Sequence, residues 1–324
     1  MANTALMVIV GIGAPITTFA IIGNAFTLLV YYKAKTLNPR IRRYRMLVAW
    51  SDLLAAAVCN WMYLHSSAMG AWQFGPLGCS LYAFGQGLGA FVSISALAML
   101  SLERACSILA PGRLLADERR QGLLCAACLL YSAGVMLPPL FGWGRFMVEG
   151  YGTSCGFVYE ASDWNSISYM AYLYIVGYFL PLAVLGFFFM VTAHYVSRRL
   201  ERAAERRRRT QICLSTTQAR LGSRSGVSQE ERMVESIRRE RRLLFTNLFI
   251  VLGFIVAWSP YMVVALAAHL TSWQPTAFMI TFSALMGKAN TCINPIIYSA
   301  ADKNFVSVLL RTRLKEGRSG TGLT

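Results

Sequence analysis

Charge is scarce in this 324-residue sequence, and negative charge is scarcest. Charged residues make up 14% of it, where an ordinary soluble domain carries about 25%. Lys and Arg number 31 against 15 Asp and Glu. Histidine is nearly missing. His65, His194 and His269 share no metal-ligand spacing, so no His-built metal centre is expected. No Asn-x-Ser/Thr sequon occurs. Eight cysteines are too few for a disulfide scaffold in so long a chain.

Hydrophobic residues fill the space instead, at 56% of the chain and a mean hydropathy of +0.47. About 20 apolar residues cross a ~30 Å hydrocarbon core. Seven runs qualify, over about 7–32, 46–68, 79–109, 123–142, 168–197, 243–270 and 277–300. The first lacks a preceding basic segment and is too long for a cleavable signal, so it is expected to stay as a membrane helix. The fold class expected is therefore an all-α membrane protein, a bundle of seven transmembrane helices. "DKNFVSVLLRTRL" after Tyr298 reads as a short amphipathic helix along the inner membrane face. One receptor-sized domain over 1–313 and a cytoplasmic tail over 314–324 follow, with a third cytoplasmic loop over 199–241.

A net charge of +16 raises the question of nucleic acid. Its distribution excludes that. Six basic residues lie in the first connecting segment, Arg45 among them, four around 104–120, fourteen in 198–242 and five in the tail. All lie on one side of a seven-span topology. The positive-inside rule puts that side and the C-terminus in the cytoplasm, and the N-terminus outside. The basic runs then serve orientation and contact with anionic membrane lipid, with an acidic cytosolic partner as the alternative. Cys59, Cys106, Cys125, Cys128, Cys213 and Cys292 fall in spans or on the cytoplasmic side. Only Cys79 and Cys155 lie toward the oxidising exterior, and a bridge between them would pin the outer loop over the bundle. The ends of the third loop suit helical extensions of spans five and six, and its Ser/Thr/Gly-rich middle suits a mobile linker.

Charge inside a span is costly and points to function. The candidates are Asp52, Glu103, Arg104 and Lys288. Asp52, Asn24 and Asn294 could form one polar cluster, either bonding helices together or switching them. Lys288 lies ten residues before Tyr298, ~15 Å from the inner end at 1.5 Å per residue. It is too deep to snorkel to either interface. It either pairs with a carboxylate or lines a water-filled path, or it stays neutral and condenses with an aldehyde as a nucleophilic amine.

Motifs along the chain then converge. They are "GN" in span one, "WSDLL" in span two, Cys79 and "LERA" at the two ends of span three, Trp143 near the outer end of span four, Pro181 in span five, "AWSPY" in span six and "NPIIY" in span seven. Over about residues 15–310 the sequence resembles a rhodopsin-like G-protein-coupled receptor. Within that family a lysine six residues before the Asn of NPxxY is similar to the retinal-attachment lysine of opsins, and "KANTCINPIIY" has that spacing. The outer loop "GWGRFMVEGYGTSCGFVY" resembles the opsin plug over the chromophore.

The resemblance implies the following expectations. Retinal is held covalently on Lys288 as a protonated Schiff base. The counterion position of vertebrate visual opsins, three residues after the span-three Cys, is Tyr82 here. The other opsin counterion position, six residues before the loop Cys, is Glu149. Glu149 is thus the expected counterion with Tyr82 beside it, an arrangement that resembles bistable pigments. Trp258 and Tyr261 match aromatics that pack on the retinal, and Cys79–Cys155 matches the family disulfide. Glu103, Arg104 and Glu240 match the inner-end ionic switch, in which Arg104 pairs with both carboxylates at rest. Asn24, Asp52, Asn294, Pro295 and Tyr298 match the rest of the activation machinery. Two positions depart from the pattern: Ala105 replaces a Tyr, and Phe189 replaces a Tyr that supports the active Arg. The implied partners are a heterotrimeric G protein, arrestin and a receptor kinase, in a plasma or photoreceptor membrane. The resemblance implies a receptor and not an enzyme. The alternatives are an opsin-like retinal photoisomerase, a receptor for a diffusible ligand whose anion meets Lys288, and a transporter using Lys288 as a charge site.

Overall fold

The computed structural model describes residues 2–33, 39–109, 118–158, 163–216, 224–271 and 273–301. The amphipathic helix expected after Tyr298, the tail 314–324 and the middle of the third cytoplasmic loop lie outside them.

Seven helical spans form the bundle. Span one is α1 (Ala2–Lys33). Span two is α2 (Pro39–Leu54) and α3 (Trp61–Met69), joined by a π-helical stretch, Ala55–Asn60. Span three is α4 (Gly75–Leu109) and span four is α5 (Glu118–Met136). Span five is α6 (Trp164–Tyr172) and α7 (Leu180–Thr216), again joined by a π-helical stretch, Leu173–Phe179. Span six is α8 (Arg224–Leu270) and span seven is α9 (Ala277–Ala301).

The chemistry of each helix explains its shape. Pro181 cannot donate the backbone hydrogen bond that an α-helix needs at that point. The wider turn just before it is stabilised by Leu180 N–H donating to Ile175 O, five residues back. Pro260 and Pro295 lie inside α8 and α9, where each removes one internal bond. Asp163 caps α6 by accepting from Ser166 N–H at 2.9 Å.

Among the described residues, five stretches are long and apolar enough to cross a membrane: Thr4–Lys33, Ile41–Met69, Gly75–Leu109, Trp164–Arg206 and Met233–Leu270. Spans four and seven are less apolar. The first opens on Glu118-Arg119-Arg120, and the second carries Lys288, Asn290 and Asn294. Large apolar side chains such as Ile22, Trp50, Leu130, Phe187 and Val256 point outward. That is the pattern of a bundle solvated by lipid, where backbone polar groups must be satisfied within each helix. Small residues let spans approach closely. A Cβ on Gly23 would meet the Pro295 side chain at 3.0 Å, so spans one and seven touch almost backbone to ring.

Among the described residues, the long connection between spans five and six is mostly helix. Span five continues to Thr216 and span six starts at Arg224, as the Arg/Glu/Ala-rich ends lead one to expect. Span two differs from its expected start. Its helix begins at Pro39, so Arg45 is the seventh residue of α2 and not a loop charge. It is 2% exposed.

The one sheet among the described residues is an outer hairpin, β1 (Phe146–Glu149) and β2 (Ser154–Phe157), antiparallel with Val148 opposite Cys155 and Glu149 opposite Ser154. Gly150 and Gly152 turn the chain with φ of +63° and +79°. Gly150 also lies against Thr281, whose hydroxyl a Cβ would overlap at 2.2 Å. The hairpin is fastened to the bundle by the Cys79–Cys155 disulfide, by Trp72 N–H donating to Gly152 O at 2.7 Å, and by Tyr151 N–H donating to Thr281 Oγ1 at 3.2 Å.

Candidate functional site

The outer half of the bundle collects Lys288, Glu149 and a set of aromatic rings. Lys288 is 6% exposed on span seven. Its Nζ lies 3.5 Å from Ala284 O, one turn earlier on its own helix. It sits 4.2 Å from the centre of the Tyr63 ring and 5.7 Å from that of Tyr82, the range of cation–π attraction. The rings of spans two and three thus cap the amine.

Glu149 is buried at the end of β1. Its Oε1 accepts from Ser154 Oγ at 3.2 Å across the hairpin. Its Oε2 accepts from Tyr261 Oη on span six at 3.2 Å. The charges of Glu149 and Lys288 act on each other. A Cβ on Gly156 would lie 2.1 Å from Glu149 Oε2 and 2.5 Å from Tyr261 Oη, so the glycine makes room for this pair. Asp163, the other outer carboxylate, is on the surface. It caps α6 and pairs with Arg145 at 3.3 Å, and the Ser166 backbone N–H holds its carboxyl below the usual range.

Trp258 lies one turn below Tyr261, with ring centroids 6.3 Å apart. It packs on Phe254 at 6.2 Å and on Gly287, where a Cβ would come within 3.2 Å of the indole. The residue before Lys288 is therefore bare so that span six can press an indole against span seven. Trp258 Nε1 and Tyr82 Oη are buried with no hydrogen-bond partner among the described residues. Such orphaned polar atoms are rare in a closed core. A buried amine, an adjoining carboxylate, and aromatic walls with unfilled polar valences form a fitting cradle for an apolar aldehyde joined to Lys288.

In the middle of the bundle Asp52 Oδ2 accepts from Asn294 Nδ2 at 2.8 Å, and Asp52 Oδ1 from Ser93 Oγ at 3.4 Å. Asn24 Nδ2 donates to Ala20 O at 2.9 Å and to Thr291 O at 2.8 Å. The three polar residues thus meet on span seven, Asp52 and Asn294 directly and Asn24 through backbone one turn away. Pro295 packs against Gly23 beside them.

At the inner end the expected ionic switch is arranged differently. Arg104 is half-buried with its guanidinium nitrogens shielded from solvent, and none of them has a hydrogen-bond partner among the described residues. Glu240 acts on it only through space. Glu103 sits against Tyr44 of span two because its place on α4 is turned about 100° from that of Arg104. Phe189 packs with Val196, Ala203, Ile237 and Leu244, apart from the cluster that holds Tyr298. Below them, Leu109, Met190, Met233 and Ile237 floor an open groove of about 1080 Å³, rimmed by Arg198 and Arg202. Two contributors were not singled out from sequence: Tyr63, the nearest ring to Lys288, and Arg45. Tyr63 had no signal beyond being an aromatic in an apolar span.

Residues 23–298 match the family model described as 7 transmembrane receptor (rhodopsin family). The chain belongs to that family. Among similar proteins of this rhodopsin family, a melanopsin of Rutilus rutilus is 29% identical over 97% of this chain, and a rhodopsin of Enteroctopus dofleini is 29% identical over 90%. The chain spans 61% and 62% of the length of those two. The crystal structure of squid rhodopsin superimposes with a TM-score of 0.82, over 96% of this chain and 85% of that one, at 25% identity. The rhodopsin-family fold, and the multi-pass membrane topology that comes with it, are thus those of this protein.

Proposed function

We propose that the protein is a light-sensing G-protein-coupled receptor that carries retinal on Lys288, with Glu149 as counterion. The observation that supports this best is the buried Lys288 amine, capped by two tyrosine rings and facing the charge of a buried loop glutamate. Bound as a protonated Schiff base, retinal would supply light absorption and a change of shape.

The chain's own residues do the rest. Glu149, steadied by Ser154 and Tyr261, balances the positive charge held at Lys288. Tyr82 offers its phenol beside it, and Trp258 and Tyr261 wall the pocket on span six. Pro260 weakens span six just beyond Trp258, so pressure on the indole can bend the inner half of that helix. Asp52, Asn24, Asn294, Pro295 and Tyr298 carry the change along span seven, and Glu103, Arg104 and Glu240 hold the inner end. The Arg-rimmed groove between spans three, five and six is the face for a heterotrimeric G protein, with arrestin and a receptor kinase as later partners. The receptor domain occupies 1–313 and the tail 314–324, with the N-terminus outside and the C-terminus in the cytoplasm of a plasma or photoreceptor membrane.

The test is an absorbance spectrum of the purified protein, incubated with retinal, before and after illumination. Wild type should show a light-sensitive visible band and Lys288→Ala none. Equal pigment in both would end this reading.

A second reading, an opsin-like retinal photoisomerase, is favoured by an Arg104 that has no hydrogen-bond partner among the described residues and by Phe189 set apart from Tyr298. It keeps Lys288 and needs no G protein. Light-driven nucleotide exchange on any G-protein class would exclude it; its absence across all classes would exclude the receptor.

A further inference from the structure

The most unexpected buried charge is Arg45. It lies two turns before Asp52 on span two, packed at the inner end among Tyr31, Tyr44, Tyr298 and apolar side chains. Its Nη1 donates to Tyr31 Oη at 2.7 Å. Its guanidinium carbon sits 4.6 Å from the centre of the Tyr298 ring and 5.8 Å from that of Tyr31. The two rings meet edge to face, with centroids 5.9 Å apart. Tyr31 and Tyr298 are 0% and 1% exposed. One cation therefore ties span one, span two and the NPIIY tyrosine of span seven together.

We propose that Arg45 is the positioning residue for Tyr298, a cation–π clamp that restrains this tyrosine against spans one and two. Three observations point this way. The guanidinium is nearer to the Tyr298 ring than to that of Tyr31, although it hydrogen-bonds the Tyr31 hydroxyl, so it uses both chemistries at once. A small cavity of about 10 Å³ lies beside the clamp, between Arg45, Tyr298, Leu100 of span three and Asn247 of span six. The void has room for about one water, so it marks incomplete packing of Tyr298 toward spans three and six, while the clamp holds the ring against spans one and two. Finally, a departure of Tyr298 would strip a ring face from a buried cation, which is costly where water is scarce. Arg104 carries like charge nearby, so Arg45 also disfavours any approach of the two guanidinium groups. Sequence alone suggests only an orientation charge here. The helix start at Pro39 turns the side chain inward.

The consequence for signalling rests on the receptor reading; the clamp itself does not. Its test is a double-mutant cycle on the thermal unfolding of the full chain in detergent, in the dark and without retinal. The variants are Arg45→Met, Tyr298→Leu and both together. The expected result is non-additivity, with a coupling equal to about a twofold to thirtyfold change in the unfolding equilibrium. Tyr298→Phe, which keeps the ring, should retain the coupling, and Arg45→Lys should restore much of it. If Arg45→Met does not fold, a cycle of Arg45→Gln with Tyr298→Leu, which removes the cation but keeps a polar side chain, gives the same readout.

A structural role alone would not move a local probe that the conservative variant restores. The ¹⁹F resonance of 3-fluorotyrosine incorporated at Tyr298 should therefore shift in Arg45→Met and return in Arg45→Lys. Strict additivity, or an unmoved resonance, overturns the clamp. On signalling, Arg45→Met should raise dark nucleotide exchange by about twofold to thirtyfold. Unchanged dark exchange in a variant whose light response is intact overturns the restraint. If wild type never drives exchange, the receptor reading fails and the unfolding cycle decides the clamp alone.

Discussion

The Tyr261 phenol of span six donates to the Glu149 carboxylate of the outer hairpin at 3.2 Å, across 112 residues of sequence. One hydrogen bond thus joins the lid to the turn of helix that carries Trp258 and Pro260. It also spreads the carboxylate charge. Tyr261→Phe should concentrate that charge, moving the pigment's visible band to shorter wavelength. The alkaline loss of that band should move up by roughly one pH unit, since a bond to a charged group is worth ~1.5–3 kcal/mol. Dark spectra across a pH series check this; a transition that stays put or falls would count against the role given to Glu149.

Removing the charge altogether should act in the opposite sense. A protonated imine without its anion gives up its proton at lower pH. Glu149→Gln should therefore absorb in the near-ultraviolet at neutral pH, while Asp163→Asn, altered at an exposed helix cap, should keep the wild-type band. If the two variants exchange behaviours, the counterion is assigned to the wrong carboxylate.

Gly156→Ala should cripple pigment formation by a route that involves no charge. The added methyl falls on both partners of the Glu149–Tyr261 bond. Backbone conformation is not the obstacle, so a shift of either side chain would have to relieve the overlap. Pigment yield at saturating retinal is the measurement, and a wild-type yield would show that the pair is not held in the geometry described.

Asp52→Ala should leave the Asn294 amide and the Ser93 hydroxyl without their acceptor. Unpartnered buried polar groups cost about 1–3 kcal/mol each. Asp52→Ala and Asn294→Ala should be strongly non-additive in thermal unfolding, by about 0.5–3 kcal/mol. Additive losses would mean the 2.8 Å bond carries little.

Cys79 and Cys155 close a loop with a sequence separation of 76. Replacing both with Ser should lower stability by about 2–4 kcal/mol and should speed condensation of a small aldehyde probe with the Lys288 amine, because the hairpin loses its covalent anchor. Unchanged probe access would indicate that the Trp72–Gly152 and Tyr151–Thr281 bonds suffice.

The seven spans were legible because lipid demands uninterrupted apolar length, and the sequence shows it directly. Lys288 was legible for the same reason, as a cation at a depth where none belongs. The pairing of Cys79 with Cys155 followed from compartment. What was not legible depends on how helices are turned about their axes. A single sequence does not reveal that α2 starts at Pro39, and so Arg45 passed for a loop charge. Nor does it reveal that Glu103 turns toward Tyr44 while Arg104 finds no hydrogen-bond partner among the described residues. The hairpin's four-residue strands, "FMVE" and "SCGF", are too short for an alternating pattern to stand out. Tyr63 was one apolar-span aromatic among many until span two placed it over the lysine.

That placement depends on the π-helical stretch Ala55–Asn60. A π-turn holds more residues than an α-turn, so it acts as a phase shifter within span two. It sets the angle between two rows of side chains that one straight helix would fix rigidly: the row with Asp52, serving span seven's Asn294, and the row with Tyr63, serving Lys288. Deleting one residue from the stretch would leave the inner half in register and turn the outer half by about 100°. The lysine would lose its nearest ring while every contact of Asp52 remained. The Lys288 end and the Asp52–Asn294 end of the bundle can thus be tuned independently through the length of this one stretch, whose Cys59 packs with Tyr63 and Tyr82.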